Sequence, residues 1–304
     1  MVKPIEAYHI PAMLSECIEG LNIKGDGIYV DVTFGGGGHS KAILNALGPK
    51  GKLYAFDQDN DAVRNLPDDE RLVFINHNFK YISQFLAYLN AIPVDGIMAD
   101  LGISSYQINE GDKGFAHRLE GNLDMRMDKN ASVSASGVVN SYTEAQLLKV
   151  FRTYGEINNA YKLVQTIIEV RKTAPIITIA DFKTAIKNCT PPREESKYLS
   201  QVFQALRIEV NEEMKALETM LTASTQLLKK GGRLVVLSYH SLEDRIVKNF
   251  VNSGNVEGEV EKDFFGQTNI PFKAITKKPM VPTDQEILEN KRVRSAKLRI
   301  AEKR

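Results

Sequence analysis

The sequence predicts an α/β fold. It combines a mostly parallel sheet, an inserted all-α domain and an antiparallel strand at the C-terminal end. Three observations carry this expectation. Strand and helix patterns alternate through the first hundred residues, as in a parallel sheet with right-handed crossovers. One such unit, YVDVTFGGGGHS at 29–40, runs from a strand through four glycines into a helix. Residues 142–206 carry only helical spacing before strand patterns return.

Met13, Leu14, Cys17 and Ile18 give a short helix ahead of Gly20. Ile28, Tyr29, Val30 and Val32 form the first strand, and Gly35 to Gly38 follow. Glycine lets backbone approach a ligand with no Cβ in the way. The next helix (Ala42, Ile43, Leu44, Leu47) aims free N–H groups at such a ligand. Gly48 and Pro49 close it, and a second strand, Lys52 to Phe56, ends at Asp57, 20 residues after Gly37. Asp59 and Asp61 flank a short helical start that Pro67 ends. Leu72 to Ile75 is a third strand. Phe79, Ile82, Phe85, Leu86 and Leu89 share one helical face, and VDGIMA at 94–99 is a fourth strand ending in Asp100. Ligands of such sheets bind outside the carboxyl ends of the strands, so Asp31, Asp57 and Asp100 mark a candidate site.

The stretch 101–130 is long, irregular and glycine-rich, with Ile103, Phe115, Leu123, Met125 and Met127 spread along it. Such loops are functional or disordered, and these hydrophobics favour an ordered loop over the site. Thr143 is placed to cap a helix, Ile157, Tyr161, Val164 and Ile168 have helical spacing, and Thr178 with Asp181 forms a capping box. Pro191-Pro192 precedes a last helix carrying Tyr198, Val202 and Phe203. Val210, Met214, Leu217, Leu221 and Leu228 then define one face of a long helix. Lys229 and Lys230 suit its C-terminal dipole, and Gly231-Gly232 stop it. A fifth strand covers 232–240, and Ser241 with Asp244 caps a helix to Phe250. Residues 253–263 read as an acidic surface loop, and 272–276 with 296–301 as a final antiparallel pair. The domains expected are 1–108 with 208–304, and an insertion at 109–207.

At 304 residues the chain accommodates two domains. No apolar run approaches the roughly 20 residues of a membrane span, and no signal peptide pattern opens the chain. Cys17 and Cys189 make no disulfide or metal pattern. A cytoplasmic protein without membrane or metal partners is expected. The net charge of +1 divides into −5 on 1–108 and +6 on 109–304, with seven basic residues among the last 14. That end suits a polyanion or a solvated tail equally.

A dinucleotide fingerprint needs a third glycine where Ser40 stands, which disfavours NAD and FAD, and no GxxxxGK[ST] supports ATP. Asp31, the glycine loop and a ribose acid at Asp57 resemble the class I S-adenosylmethionine-dependent methyltransferases, whose Rossmann-like sheet ends in an antiparallel strand. Eight ordered blocks extend the likeness: VDVTFGGGGHS, AFDQD, DLGISS, NLDMRM, YGE, FQALRIEVN, SYHSLEDR and RSAKLR. Together they resemble the bacterial 16S ribosomal RNA cytosine-N4 methyltransferase family over nearly the whole chain. Two positions depart from its pattern. Tyr106 stands where proline is usual, and KRVRSAKLR replaces PRSRSAKLR.

The resemblance implies methyl transfer to the exocyclic amine of a cytidine in the decoding region of the small ribosomal subunit. It implies an S-adenosylmethionine site at Gly37, Gly38, His39, Asp57, Phe79, Asp100 and Gln107. Other members of the wider class act on amines through a (D/N/S)PP(Y/F) loop after the fourth strand, a place taken here by DLGISS. Asp100 is therefore expected to accept from the amine, helped by Ser104. Arg126, Arg207, Glu209 and His240 are substrate-side candidates. Structural roles compete in each case: His39 as a helix cap, Phe79 as core, Arg126, Arg207 and Glu209 as helix salt bridges, and His9 and His240 as satisfied core histidines. A cysteine nucleophile is not expected, since neither Cys17 nor Cys189 is placed near a strand end. Oligomeric state stays open. The competing functions are a methyltransferase of another nucleic acid and a non-catalytic ribosome-binding factor.

Overall fold

The computed structural model describes residues 11–304 apart from 261, 263, 267 and 269; His9 lies outside the described residues. The chain forms two compact units, one of residues up to Gly102 together with Lys215–Arg304, the other Ile103–Met214.

The first unit opens with helix α1 (Leu14–Leu21), strand β1 (Ile28–Asp31), helix α2 (Gly38–Ala46) and strand β2 (Lys52–Phe56). Strand β3 (Leu72–Ile75), helix α3 (Ile82–Tyr88) and strand β4 (Val94–Asp100) follow. The second unit holds α4 (Ser105–Asn109), α5 (Ala135–Ser141), α6 (Glu144–Thr153), α7 (Ala160–Thr173), α8 (Ile179–Ile186) and α9 (Glu195–Val210). The chain returns through α10 (Glu213–Leu227) to β5 (Leu228–Ser238), α11 (Ser241–Ser253), β6 (Phe272–Ala274), α12 (Asp284–Glu289) and β7 (Lys297–Lys303). The seven strands make one sheet, ordered β3-β2-β1-β4-β5-β7-β6. The first five strands pair in parallel, and β7 runs antiparallel to both neighbours. This is the expected α/β sheet with its C-terminal antiparallel strand.

Alternation along the strands gives the sheet two buried faces. Tyr29, Leu53, Met98 and Val235 pack with Cys17, Ile43 and Leu44. Val30, Phe56, Ile97 and Val236 pack with Ile82, Leu86, Leu221 and Phe250 on the other side. Covering both faces explains why the central strands read as continuous apolar runs. In the second unit Phe151, Leu163, Phe182, Val202 and Leu206 centre a separate core. The glycine-rich stretch joins that core through Phe115, Leu123, Met125 and Met127, and Leu123 and Ile179 exchange backbone hydrogen bonds with Ile177 and Gly121. It is therefore ordered. Among the described residues no helix is long and apolar enough to cross a membrane.

Three local expectations need correction. The long helix stops at Leu227, and Leu228, Lys229 and Lys230 already belong to β5. Leu228 pairs with Val94, then the register shifts so that Arg233 pairs with Gly96, and Gly231 sits at φ 76° in between. Lys229 extends to Asp95 at 2.8 Å, so its charge answers a carboxylate, not a helix end. The cap of α11 is His240 with Glu243 in a capping box, one residue before the expected Ser241. The Phe79 helix begins as a 3-10 turn over Phe79–Tyr81, and α3 proper starts at Ile82.

Asp95 ties the amino-end margin of the sheet together. It accepts from the backbone of Ile28 at 3.0 Å and from Lys229, with Lys24 3.5 Å away. Burial works to raise its pKa, but the Lys229 and Ile28 hydrogen bonds and nearby lysines bring it below the usual carboxylate range. A depressed carboxylate stabilises the fold above its unfolded pKa and loses that contribution as pH falls through the folded value. Asp95→Ala should lower stability at pH 7 by about 2–3 kcal/mol. Urea unfolding across pH should show the deficit closing below roughly pH 4.

Candidate active site at the carboxyl edge of the sheet

The glycine run begins four residues after β1. Gly37 adopts φ 76°, a conformation that a side chain resists, and a Cβ there would meet the Phe34 ring and the Asn65 carbonyl. At Gly38 a Cβ would collide with the Pro11 ring. A Cβ on Gly36 would meet nothing within 4 Å. The fold therefore demands glycine at 37 and 38, while at 36 the backbone borders open space.

Asp57 follows the end of β2. Its Oδ2 accepts from the Gly35 N–H at 2.7 Å and its Oδ1 from the Asp59 N–H at 2.8 Å. Burial pushes its pKa up to about 6 against those two donors. Each oxygen keeps a second lone pair, enough for two ligand hydroxyls. The turn holding Phe79 is tied to the same loop, since Asn78 donates to Gln58 at 2.7 Å and Asn76 donates to the Asp57 carbonyl at 2.9 Å. Phe79 is half-buried and packs on the sheet core.

Asp31 and Asp100 share a second network. Buried Asp31 takes the Ser40 hydroxyl at 2.6 Å and the Thr33 N–H at 3.0 Å. The Thr33 hydroxyl accepts from the Asp100 N–H at 2.6 Å. Asp100 Oδ1 accepts from the Tyr239 hydroxyl at 2.7 Å, and Oδ2 stands 3.6 Å from His39 Nδ1. The His39 Nε2 lies 3.0 Å from the Ala12 carbonyl, which can only accept, so Nε2 carries a proton and Nδ1 faces Asp100. Asp100 keeps 25% of its side-chain surface exposed, yet close packing dominates. Burial raises its pKa, while His39 and Tyr239 oppose the shift.

Cys17 sits on α1 in the core beneath this edge, near enough to feel Asp100 and Asp31. That corrects the expectation that it lies away from any strand end. Burial first, and then Asp100, push its thiol well above the ordinary range, so a thiolate nucleophile is disfavoured on physical grounds.

The remaining candidates lie in the helical unit, except His240. Ser104 and Gln107 form a capping box on α4, with Ser104 Oγ accepting from the Gln107 N–H and Gln107 Oε1 from the Ser104 N–H. Arg126 forks onto Asp124 at 2.7 and 2.8 Å and donates to the Ala131 carbonyl at 2.8 Å. Arg207 pairs with Glu213 at 2.9 Å, and Glu209 accepts from Tyr142 at 2.8 Å. His240 is the cap of α11, with Nε2 3.2 Å from Glu243. All of these side chains have structural partners.

The sheet edge thus gathers Gly37, Gly38, His39, Asp57 and Asp100, and adds Tyr239, Thr33 and Ser40, which the sequence reading passed over. Tyr239 was visible only as part of the SYHSLEDR block, inside the strand expected over 232–240, whereas β5 ends at Ser238.

Comparison with known proteins places these observations. A family model described as the MraW methylase family matches residues 6–304. The ribosomal RNA small subunit methyltransferase H of Parabacteroides distasonis is 53% identical over 304 residues, covering all of both chains. The protein of that name from Phocaeicola vulgatus is 52% identical with the same coverage. The one from Flavobacterium johnsoniae is 52% identical over 97% of this chain and 98% of its own.

A carboxylate titrating at about 6 makes ligand binding at this edge pH-dependent. Hydroxyls that donate to Asp57 need it ionised. Affinity for S-adenosylmethionine should be flat above pH 7 and fall about tenfold per unit well below pH 6. Calorimetry at pH 5, 6 and 7.5 reads this directly, and Asp57→Asn should weaken binding and remove the dependence.

Proposed function

The chain belongs to the MraW methylase family, and on that premise we propose that it methylates the exocyclic N4 amine of a cytidine in 16S ribosomal RNA, with S-adenosylmethionine as donor. The observation that carries this reading is the pairing of two differently held carboxylates across one glycine loop. Asp57 has lone pairs left for a ribose, and Asp100 lies at the end of the neighbouring-but-one strand. The residues present fit the donor. Open space beside Gly36 admits close backbone contact, and Gly37, Gly38, His39, Asp57, Phe79 and Asp100 would hold it.

When bound, the donor supplies an electrophilic sulfonium methyl. The chain's own task is to prepare the amine. A cytosine amino lone pair is delocalised into the ring, and an acceptor for its N–H localises it on nitrogen. Asp100 is that acceptor in our reading, and it receives the proton as the new bond forms. Proximity and alignment supply much of the acceleration. His39, expected from the sequence as a donor ligand, also stands 3.6 Å from Asp100.

The target base must leave its stack to reach a site of this kind. We assign recognition of the small ribosomal subunit to the insertion spanning 109–207 and to the basic C-terminal end. In support, the insertion carries a core of its own. Arg126 and Arg207 shape the insertion through their ion pairs, and a cytoplasmic setting follows from the substrate.

The test combines cells and purified enzyme. Mass mapping of 16S ribosomal RNA from cells lacking the protein should show one cytidine short of one methyl group, restored by wild type. Asp100→Asn should reduce turnover on small subunits by about 10²–10⁴-fold. Unchanged RNA, or full turnover by Asp100→Asn with normal donor affinity, contradicts the reading.

A further inference from the structure

Tyr239 follows β5 and is itself fixed at both ends. Its N–H donates to Glu243 Oε2 at 2.8 Å, and its hydroxyl donates to Asp100 Oδ1 at 2.7 Å. Glu243 is almost wholly buried and caps α11, so the ring is anchored to a helix N-terminus. The chain after Asp100 runs past the ring at Gly102, whose φ of 99° a side chain resists. A tyrosine hydroxyl taken out of water finds a partner, and here that partner is the Asp100 carboxylate at the edge of the sheet.

We propose that Tyr239 is the positioning residue of this site. Its hydroxyl holds Asp100 Oδ1, so that Oδ2 is the oxygen turned toward the substrate amine. The proposal rests on the reading of Asp100 as the amine's acceptor. In the step concerned, the amine N–H bond breaks, its electron pair stays on nitrogen, and the proton passes to Oδ2. His39 Nδ1 stands 3.6 Å from Oδ2 on the α2 side.

The charges around Asp100 give the arrangement a defined sense. His39 from α2 and Tyr239 favour its ionised form, while Asp31 from β1 and Glu243 from α11 oppose it. Cys17 from α1 faces the same carboxylate. Burial, with Asp100 next, holds the Tyr239 phenol well above its ordinary range, so it stays a donor throughout neutral pH. Removing the hydroxyl removes one stabiliser of the carboxylate and raises the pKa of Asp100.

Two readouts on Tyr239→Phe test this. In the full-length protein without ligand, carbon-13 NMR of the aspartate carboxyls should show the Asp100 titration moved up by roughly one pH unit. The acid limb of kcat should move the same way, with turnover at pH 7 down about tenfold and donor affinity within threefold of wild type. An unmoved Asp100 titration, or a uniform fall in kcat with an unmoved acid limb, overturns the proposal. Full turnover by Asp100→Asn would instead sink the acceptor reading, and the proposal with it, whatever the Tyr239→Phe titration shows.

Discussion

Asp31, Asp57 and Asp100 leave neighbouring strands at the same edge of one sheet, and each is largely taken out of water. Like charges brought together under those conditions raise one another's pKa unless donors are already in place. The structure answers each carboxylate separately. Asp31 receives a serine hydroxyl and a backbone N–H, Asp57 two backbone N–H groups, and Asp100 a phenol and the neighbourhood of an imidazole. The differences in support divide the labour. Asp31 is consumed in holding the loop, Asp57 keeps accepting capacity at about neutral pH, and Asp100 has a phenol donor on one side and the Nδ1 edge of an imidazole on the other.

The glycine loop follows from the same constraint. A backbone that must donate from Gly35 to Asp57, turn at Gly37 and pass the Pro11 ring at Gly38 has no room for side chains there. Thr33 closes the circuit, because its hydroxyl bridges Asp31 and the Asp100 backbone. Loop, strand end and acid therefore form one hydrogen-bonded unit, and a change at any of them is felt by the other two.

Much of this was legible in the sequence. The five parallel strands are short apolar runs punctuated by Gly, Pro and Asp, and Asp57 and Asp100 stand out because a charge ends each run. The α10 boundary was not legible, because Lys229 has its partner 134 residues away at Asp95, and Gly231 serves a bulge and not a helix stop. His240 and Ser241 are both able to cap a helix, and only the Glu243 contact separates them. The candidates in the helical unit drew attention as charges, yet local partners occupy Arg126 and Arg207. Tyr239 was hidden for the opposite reason: an aromatic residue at the end of a buried strand reads as core, and its hydroxyl finds Asp100 only once β4 and β5 are side by side.

The central claim is that this edge holds the methyl donor between Asp57 and Asp100. A crystal structure of the full chain with S-adenosylhomocysteine tests it most directly. The account predicts ribose hydroxyls donating to Asp57, glycine-loop backbone against the ligand, and the sulfur turned toward Asp100. A ligand bound elsewhere, or a ribose that leaves Asp57 untouched, would contradict it.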